Sequence, residues 1–239
     1  MKPSVSIVIP TINRPKLLQR AVRSALIGCP EDGEVIVVDA RSDTAEQALA
    51  ALATDKRLKV ITNAGDKGAA GARNTGVSAA RSDIFLFLDD DDALMANYPN
   101  RVLTAASDPA VVFGFSTMTV HRGDTVEDTR RGKLKPGLLA HDVPLENKTA
   151  GLGAGFWIDR AVFLAVGGIK TDQINDEDTD LCCRLYGHGH NAWFEAEPGC
   201  IIYQDYETGD DTAPQLPRST EPGVMAACYM RTFQHLNDT

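Results

Sequence analysis

The sequence has no cysteine pattern that could form a structural framework. Its five cysteines are an odd number and include no Cys-x-x-Cys pair, which argues against a disulfide-stapled fold and a cysteine zinc site. Cys182 and Cys183 are adjacent, so we expect one to face the core and the other the surface of a single helix. This cysteine usage predicts a cytoplasmic location.

The chain also lacks long apolar runs and an excess of basic residues. No segment approaches 18 consecutive apolar residues, and the N-terminus runs directly into a strand-like segment, so we expect neither a signal peptide nor a membrane span. The formal net charge of −9 argues against general binding to nucleic acid or to anionic membranes. With 43% hydrophobic residues in 239, the composition predicts one large globular domain.

The most informative stretch that is present is Ile84–Asp92. Its first five residues are apolar and predict a strand buried on both faces, as in a parallel sheet. Four aspartates, Asp89–Asp92, follow at the carboxyl end of this strand, where α/β sheets bind ligands. Because neighbouring carboxylates repel, an ordered run of this kind needs a positive partner, and Mg²⁺ or Mn²⁺ bridging to phosphates would supply it. On this stretch alone, a solvated acidic turn that caps the next helix is the alternative.

Strand-like and helix-like patterns alternate through the first 90 residues. Short connections between them predict an α/β fold with a mostly parallel sheet and right-handed crossovers. The predicted strands are 5–10, 34–39, 58–62 and 84–88; the predicted helices begin at Pro15 and span 43–53, and a glycine-rich loop at 63–76 runs into a third helix. Further on, the patterns predict helices at 98–107, 159–166 and 176–186, strands at 110–120, 153–158, 192–195 and 200–203, a polar hairpin tip or mobile loop at 121–136, a loop at 208–222 and a final helix to about 236.

Polar residues follow the other predicted strands as well. Thr11–Arg14 follows the first strand and Asp39 ends the second, so these groups should share a crevice with the aspartates. Asp39 could accept hydrogen bonds from a base or a ribose, or it could cap a turn. Arg73, near a helix start, could hold a phosphate or pair with the aspartates. The glycine spacing around it is neither a Walker A loop nor GxGxxG, which disfavours an ATPase or a Rossmann dehydrogenase.

Five motifs in order resemble the family 2 glycosyltransferases with the GT-A fold. The resemblance covers about residues 4–205 and implies a single GT-A-type domain, with a nucleotide-sugar-binding half at 1–92, a mixed acceptor and catalytic half at 93–205, and a C-terminal loop and helix at 206–239. The motifs are Ser6-Ile7-Val8-Ile9-Pro10-Thr11-x-Asn13-Arg14, Val37-Val38-Asp39-x-x-Ser42-Asp43, Gly71-x-Arg73-Asn74-x-Gly76, Phe87-Leu88-Asp89-Asp90-Asp91-Asp92, and Val166-Gly167-Gly168 followed by Glu177-Asp178-Thr179-Asp180-Leu181-Cys182-Cys183-Arg184-Leu185.

The resemblance implies a role for each matching residue. Asp178 would be the catalytic base, Asp91 the direct ligand of Mn²⁺ or Mg²⁺, and Trp157 and Glu177 would lie where family members hold the acceptor. Asp39 would contact the base, typically uracil, Lys67 and Arg73 would lie near the base or diphosphate, and Asp89 would lie nearer the ribose. The residues implied to bind the nucleotide-sugar are Pro10, Thr11, Asn13, Arg14, Asp39, Lys67, Arg73, Asp89 and Asp90.

The activity implied is inverting, metal-dependent transfer of a sugar from a nucleotide-sugar, most often UDP-linked, to a hydroxyl acceptor in cell-surface polysaccharide or glycolipid synthesis. It is compatible with peripheral contact at the inner face of the membrane and with a homodimer built on the final helix. A non-catalytic nucleotide- or carbohydrate-binding relative is one alternative. A nucleotidyltransferase is another, although Thr11–Arg14 is too short for the glycine-rich basic loop that such enzymes carry after the first strand.

The sequence departs from the family pattern at several positions. Ala40-Arg41 stands where an Asp-Gly pair is usual, and Ile169-Lys170-Thr171 stands where Phe-Asp-Glu is frequent. A histidine metal ligand is common beyond the last core strand, but here Gln204-Asp205 occupies that region, which leaves Asp205, His188 and His190 as candidates. The Gln-x-x-Arg-Trp motif of processive synthases is absent, which favours single transfer. Of the two tryptophans, Trp193 is expected in the core, whereas Trp157 suits the core and a sugar-stacking site equally.

Overall fold

The computed structural model describes residues 4–129, 134–173, 175–204 and 222–237, with the side chains of 226–236 in the last segment. The strands are β1 Val5–Thr11, β2 Glu34–Asp39, β3 Leu58–Thr62, β4 Ile84–Leu88, β5 Ala93–Leu94, β6 Phe113–Arg122, β7 Thr125–Asp128, β8 Gly137–Leu138, β9 Ala154–Asp159 and β10 Trp193–Tyr203. The helices are α1 Pro15–Gly28, α2 Ala45–Ala48, α3 Gly68–Ala79, α4 Tyr98–Ala105, α5 Leu145–Lys148, α6 Arg160–Ala165, α7 Glu177–Gly187 and α8 Pro222–Asn237.

The strands form one sheet in the order β3-β2-β1-β4-β9-β6-β10-β5, with β7 on β6 and β8 on β10. The first four strands pair in parallel, which confirms the α/β prediction for this half. β9 runs antiparallel to both β4 and β6, and β6 pairs in parallel with β10. The second half is therefore mixed, as predicted.

Hydrophobic side chains pack on both faces of the sheet. Along β4, Phe85 and Phe87 face one cluster, which Phe163 of α6 and Leu181 of α7 complete. Leu86 faces the other cluster, together with side chains of α1 and α4. Because successive side chains of a strand point to opposite faces, a continuous apolar run is what a strand buried on both sides requires.

Two predicted boundaries in the first half are wrong. The helix predicted at 43–53 is only α2, followed by a 3₁₀ turn at Ala50–Leu52, because Leu49 leaves the helical region with φ −100° and ψ 7°. The segment predicted as a glycine-rich loop over 63–76 is helical from Gly68. Its glycines allow close packing instead: a Cβ on Gly76 would lie 2.4 Å from Val8 Cγ1 of β1.

The second half differs from the predictions in its pairing. The two short strands predicted at 192–195 and 200–203 are one strand, β10, with a bulge between Glu195 and Cys200. The polar segment after β6 turns back as β7, which confirms a hairpin there. The short elements β5, β8 and α5 were not predicted. The loop predicted at 208–222 falls almost entirely outside the described residues. No helix within the described ranges is long and apolar enough to cross a membrane.

Candidate active site

The carboxyl ends of β1, β2 and β4 lie side by side at one edge of the sheet, as the sequence predicted. Thr11 pairs in register with Asp39, the last residue of β2. On the other side of β1, the Thr11 hydroxyl donates a hydrogen bond of 2.7 Å to Asp90 Oδ2, just beyond β4. The loop that follows β1 therefore lies directly against the aspartate run.

Asp90 is the buried member of that run, with 5% of its surface exposed. Arg14 Nη1 lies 3.0 Å from Asp90 Oδ1 and 3.0 Å from Asp91 Oδ2, so one guanidinium links the loop after β1 to two of the carboxylates. Burial raises the pKa of Asp90 to about 6, and the hydrogen bond from Thr11 and the charge of Arg14 oppose that rise. Both contacts hold Asp90 in place below the crevice.

Three other carboxylates form a group that fits a divalent cation. One oxygen each of Asp89, Asp91 and Asp92 lies within 4.8 Å of the others. Burial together with the charges of Asp89 and Asp91 raises the pKa of Asp92 to about 8, and burial also raises the pKa of Asp91. A cation among these oxygens would offset both the repulsion and the loss of hydration. An all-oxygen donor set suits Mg²⁺ or Mn²⁺.

Sequence reasoning missed Asp92, because the motif was matched on Asp89–Asp91. The fold brings Asp92 into the group by pairing β5 with β10: Tyr203 N donates to Asp92 Oδ1 at 3.2 Å. Arg20, also missed, donates to the main-chain oxygen of Asp91, and its guanidinium carbon lies 3.7 Å from the centre of the Tyr203 ring. The helical position of Arg20 on α1 gave no signal of this contact.

Asp39 takes the capping role that the sequence left open. Its Oδ1 accepts hydrogen bonds from the amide (2.6 Å) and the hydroxyl (2.7 Å) of Ser42, and its Oδ2 accepts one from Ala45 N at 3.2 Å. The side chain is buried and organises the turn that leads into α2. The loop Arg41–Asp43 therefore has a defined shape at the edge of the crevice.

Arg73 connects the aspartate run to the amino end of α7. Its Nη2 lies 2.6 Å from Asp89 Oδ1 and its Nη1 lies 3.4 Å from Glu177 Oε1. Arg73 is only 4% exposed, whereas both carboxylates are partly exposed toward the crevice. The arrangement brings Glu177 and the adjacent Asp178 to the same crevice as Asp89.

The segment before β9 lies between Asp89 and Asp178. Asp89 N donates to Gly153 O at 3.1 Å, and a Cβ on Gly153 would lie 1.9 Å from the Asp89 carboxyl carbon. A Cβ on Gly151 would lie 3.6 Å from Asp178 Oδ2. Asp89 and Asp178 therefore lie next to positions only two residues apart on this segment, which span at most about 7 Å of chain.

The remaining predicted nucleotide residues surround the same edge. Pro10 is buried within β1, Asn13 is exposed with a left-handed φ of 52°, and Lys67 is exposed at the start of α3. The predicted nucleotide-binding residues therefore lie at the carboxyl ends of β1 and β2, on the loops that follow β1 and β4, and on α3 or at its start.

Trp157, implied to lie where family members hold the acceptor, is buried in the core. Trp157 is 1% exposed and packs among the core residues on the α1 and α4 side of the sheet. Gly114 makes room for it, since a Cβ there would lie 2.8 Å from the indole ring. Trp193, expected in the core, is only half-buried. Trp157 thus takes the core position, one of the two that the sequence left open, and Trp193 packs against the same cluster.

The histidine candidates do not join the carboxylate group. His188 and His190 follow the carboxyl end of α7, an 11-residue helix, which places them about 15 Å along the axis from Asp178. Neither belongs to the metal-competent group found among the described residues. Asp205, the other candidate, lies outside the described residues.

The family model for glycosyl transferase family 2 matches residues 6–167. The chain belongs to this family. Its matched region contains the loop after β1, the Asp39 turn, Arg73 and the aspartate run, which carry the first four motifs of the resemblance. Glu177 and Asp178 lie beyond the matched region.

Relatives of this chain are named as glycosyltransferases. An uncharacterised glycosyltransferase of Haemophilus influenzae is 28% identical over 186 residues, which cover 76% of this chain and 61% of the relative. A GalNAc(5)-diNAcBac-PP-undecaprenol β-1,3-glucosyltransferase of Campylobacter jejuni is 34% identical over 116 residues, 47% of this chain and 38% of the relative. The chain thus spans less than two thirds of the length of these relatives.

The fold is that of solved GT-A glycosyltransferases. The structure of S. aureus TarS 1-349 in complex with UDP-GlcNAc superimposes with a TM-score of 0.70 at 19% identity, and the match covers 88% of this chain and 61% of TarS 1-349. This likeness confirms the fold prediction.

Proposed function

We propose that this chain transfers a sugar from a UDP-linked donor to a hydroxyl acceptor, with inversion at the anomeric carbon and with a divalent cation bound at Asp89, Asp91 and Asp92. The observation that carries the proposal is the position of Arg73 between Asp89 and Glu177, because it joins a cation-competent carboxylate group to the helix that carries Asp178. The division into a donor half at 1–92 and an acceptor half at 93–205 is part of this proposal.

Each group has a chemical task in such a transfer. The bound cation would neutralise charge that develops on the diphosphate leaving group. Arg73 adds a fixed positive charge beside Asp89, and Arg14 holds Asp90 and Asp91 in position. Thr11, Asn13 and Lys67 line the adjoining loops, where a nucleotide would lie along the sheet edge.

Asp178 acts as the general base in this proposal. Its Oδ1 accepts a hydrogen bond from Thr179 N at 2.8 Å, and its Oδ2 faces Gly151. The carboxylate takes the proton of the acceptor hydroxyl, the acceptor oxygen bonds to the anomeric carbon, and the bond from that carbon to the diphosphate oxygen breaks on the opposite face. One displacement from the opposite face inverts the configuration, and the nucleoside diphosphate leaves.

The donor and acceptor classes rest on similarity. TarS is described in complex with UDP and with UDP-GlcNAc, and the Campylobacter jejuni relative is named for transfer to an undecaprenol-linked glycan. These descriptions support a UDP-sugar donor and an acceptor in polysaccharide or glycolipid synthesis. Family membership favours glycosyl transfer over the nucleotidyltransferase alternative.

Thermal unfolding with UDP, GDP, CDP, dTDP and ADP, each with and without Mn²⁺, tests the donor site. A ligand at 100 times its Kd stabilises the folded state by about 2.7 kcal/mol, which for a chain of this size raises Tm by about 5–10 °C. We expect a Mn²⁺-dependent rise with UDP that Asp91→Ala abolishes. Asp83→Ala is the matched control, since the exposed Asp83 precedes β4 at the opposite edge of the sheet.

Enzymatic turnover separates an active transferase from a non-catalytic relative. We expect slow Mn²⁺-dependent release of UDP from a UDP-sugar, and Asp178→Asn should reduce it while the rise in Tm with UDP remains. Binding of UDP without any turnover across a set of UDP-sugars and glycan acceptors would instead support a non-catalytic nucleotide-binding protein.

A further inference from the structure

Arg41 occupies an unusual position on the loop after β2. Its backbone is left-handed, with φ 66°, a conformation that costs a side-chain-bearing residue free energy and that glycine adopts freely. Its side chain crosses to the loop after β3, where Nε donates to Asn63 O at 3.1 Å and Nη2 lies 3.5 Å from Gly65 O. Arg41 is nevertheless exposed at the edge of the crevice.

The distance along the sheet edge places Arg41 where a base would lie. This step rests on the proposed function, in which the diphosphate binds beside the carboxylates after β4. The order β2-β1-β4 puts the end of β2 two strands from the end of β4, about 10 Å at the usual strand spacing. A ribose and a base span that separation, so the base reaches the loop Arg41–Asp43 and the facing loop at Asn63–Gly65.

The chemistry of Arg41 limits which base it can bind. A guanidinium offers five N–H donors and no acceptor, and main-chain carbonyls take only two of the five. The neighbouring Asp39 is held by donors from Ser42 and Ala45, so it organises the loop. On a pyrimidine, position 4 lies opposite the glycosidic bond and is the part of the base that reaches furthest from the ribose.

We propose that Arg41 is a specificity determinant that selects bases with a carbonyl oxygen, and against bases with an amino group, on the edge remote from the ribose. Uracil carries an oxygen at position 4 and accepts a hydrogen bond from the guanidinium. Cytosine carries an amino group at the same position, which would place two donors against each other. UDP and CDP differ at this position and at N3, which carries a hydrogen in uracil and is an acceptor in cytosine, so the two nucleotides are compared with and without the Arg41 side chain.

The test is calorimetric titration of UDP and of CDP in the presence of Mn²⁺, with the unsubstituted protein and with Arg41→Gly. We expect the unsubstituted protein to bind UDP about tenfold or more tightly than CDP. The guanidinium of Arg41 can donate a charge-assisted hydrogen bond to the oxygen at position 4 of uracil but not to the amino group of cytosine. In Arg41→Gly the ratio of the two Kd values should fall to within about threefold. Glycine adopts the left-handed backbone freely, so this variant should fold despite losing the hydrogen bonds to Asn63 and Gly65.

Asp43→Gly is the matched control. Asp43 lies on the same loop, is exposed and has a left-handed φ of 57°, but carries no donor when ionised. We expect it to keep the UDP preference of the unsubstituted protein.

The outcomes separate this inference from the proposed function. If the unsubstituted protein binds neither nucleotide, the proposed function fails and the inference fails with it. If it binds UDP but shows no preference over CDP, the inference alone is overturned. The same holds if Arg41→Gly raises the Kd values for UDP and CDP equally and so keeps their ratio. The last result would mean that Arg41 only ties the two loops together.

Discussion

Arg73 donates a charged hydrogen bond of 2.6 Å to Asp89, although the two residues belong to different elements, helix α3 and the loop after β4. The guanidinium is buried, whereas the Asp89 side chain is 39% exposed and faces the crevice. A buried cation that orients a partly exposed carboxylate is suited to a site where negative charge must be bound and released. The same guanidinium reaches Glu177, 104 residues further along the chain.

Replacing Arg73 should therefore reduce catalysis more than folding. In Arg73→Gln the positive charge next to Asp89 is lost while a hydrogen-bonding side chain remains. We expect kcat/KM for UDP release to fall about 10²–10³-fold, the loss typical of removing one electrostatic group from an active site. Arg81→Gln is the control, because the Arg81 side chain is 63% exposed and lies before β4 at the other edge of the sheet. Equal rates for the two variants would contradict the role given to Arg73.

Gly153 should control cation binding through the room it leaves for Asp89. The Cβ of Gly153→Ala would lie 1.9 Å from the Asp89 carboxyl carbon, so the carboxylate must move out of the group. We expect the Kd for Mn²⁺ to rise about tenfold or more, the equivalent of about 1.4 kcal/mol, measured by titration calorimetry. Gly151→Ala, whose Cβ would make an ordinary contact of 3.6 Å with Asp178, should leave the Mn²⁺ affinity unchanged.

Trp157 should contribute to stability and not to acceptor binding. Trp157→Ala removes a fully buried indole and should lower the free energy of unfolding by about 3–5 kcal/mol in urea titrations. The milder Trp157→Phe should fold and should keep the KM for the acceptor. A large rise in that KM for Trp157→Phe would restore the acceptor role that burial argues against.

The C-terminal helix α8 should stabilise α7 through His235. The His235 Nδ1 lies 2.7 Å from Asp180 Oδ1, and Asp180, fully buried, also pairs with Arg184 at 2.7 Å. His235→Ala leaves an oxygen of the buried carboxylate without this partner, and we expect a loss of about 1–3 kcal/mol in urea unfolding. His235→Asn, which can still donate near the Nδ1 position, should recover part of it, and the exposed neighbour Gln234→Ala should change little.

The sequence alone determined the parallel half of the sheet and the place of the aspartate run. The bounds of β1–β4 differ from the predictions by at most one residue. In β1, β2 and β4, burial on both faces leaves a local signal of mostly apolar residues, whereas the edge strand β3 is only partly buried. That Thr11, Asp39 and Asp90 would meet at one edge also follows from sequence order, since parallel strands end on the same side. The resemblance to the family motifs then predicted roles for individual residues, which the spacing of residues alone did not.

Only the tertiary structure decided which side chains meet across the two halves. Arg73 reaches Glu177 and Asp92 reaches Tyr203 over 104 and 111 residues, and no local pattern encodes such contacts. The side of the sheet that Trp157 faces depends on the register of β9, because a shift by one residue moves every side chain of a strand to the opposite face. The burial of Trp157 and the recruitment of Asp92 were therefore set by strand pairing, which the amino-acid pattern around either residue does not reveal.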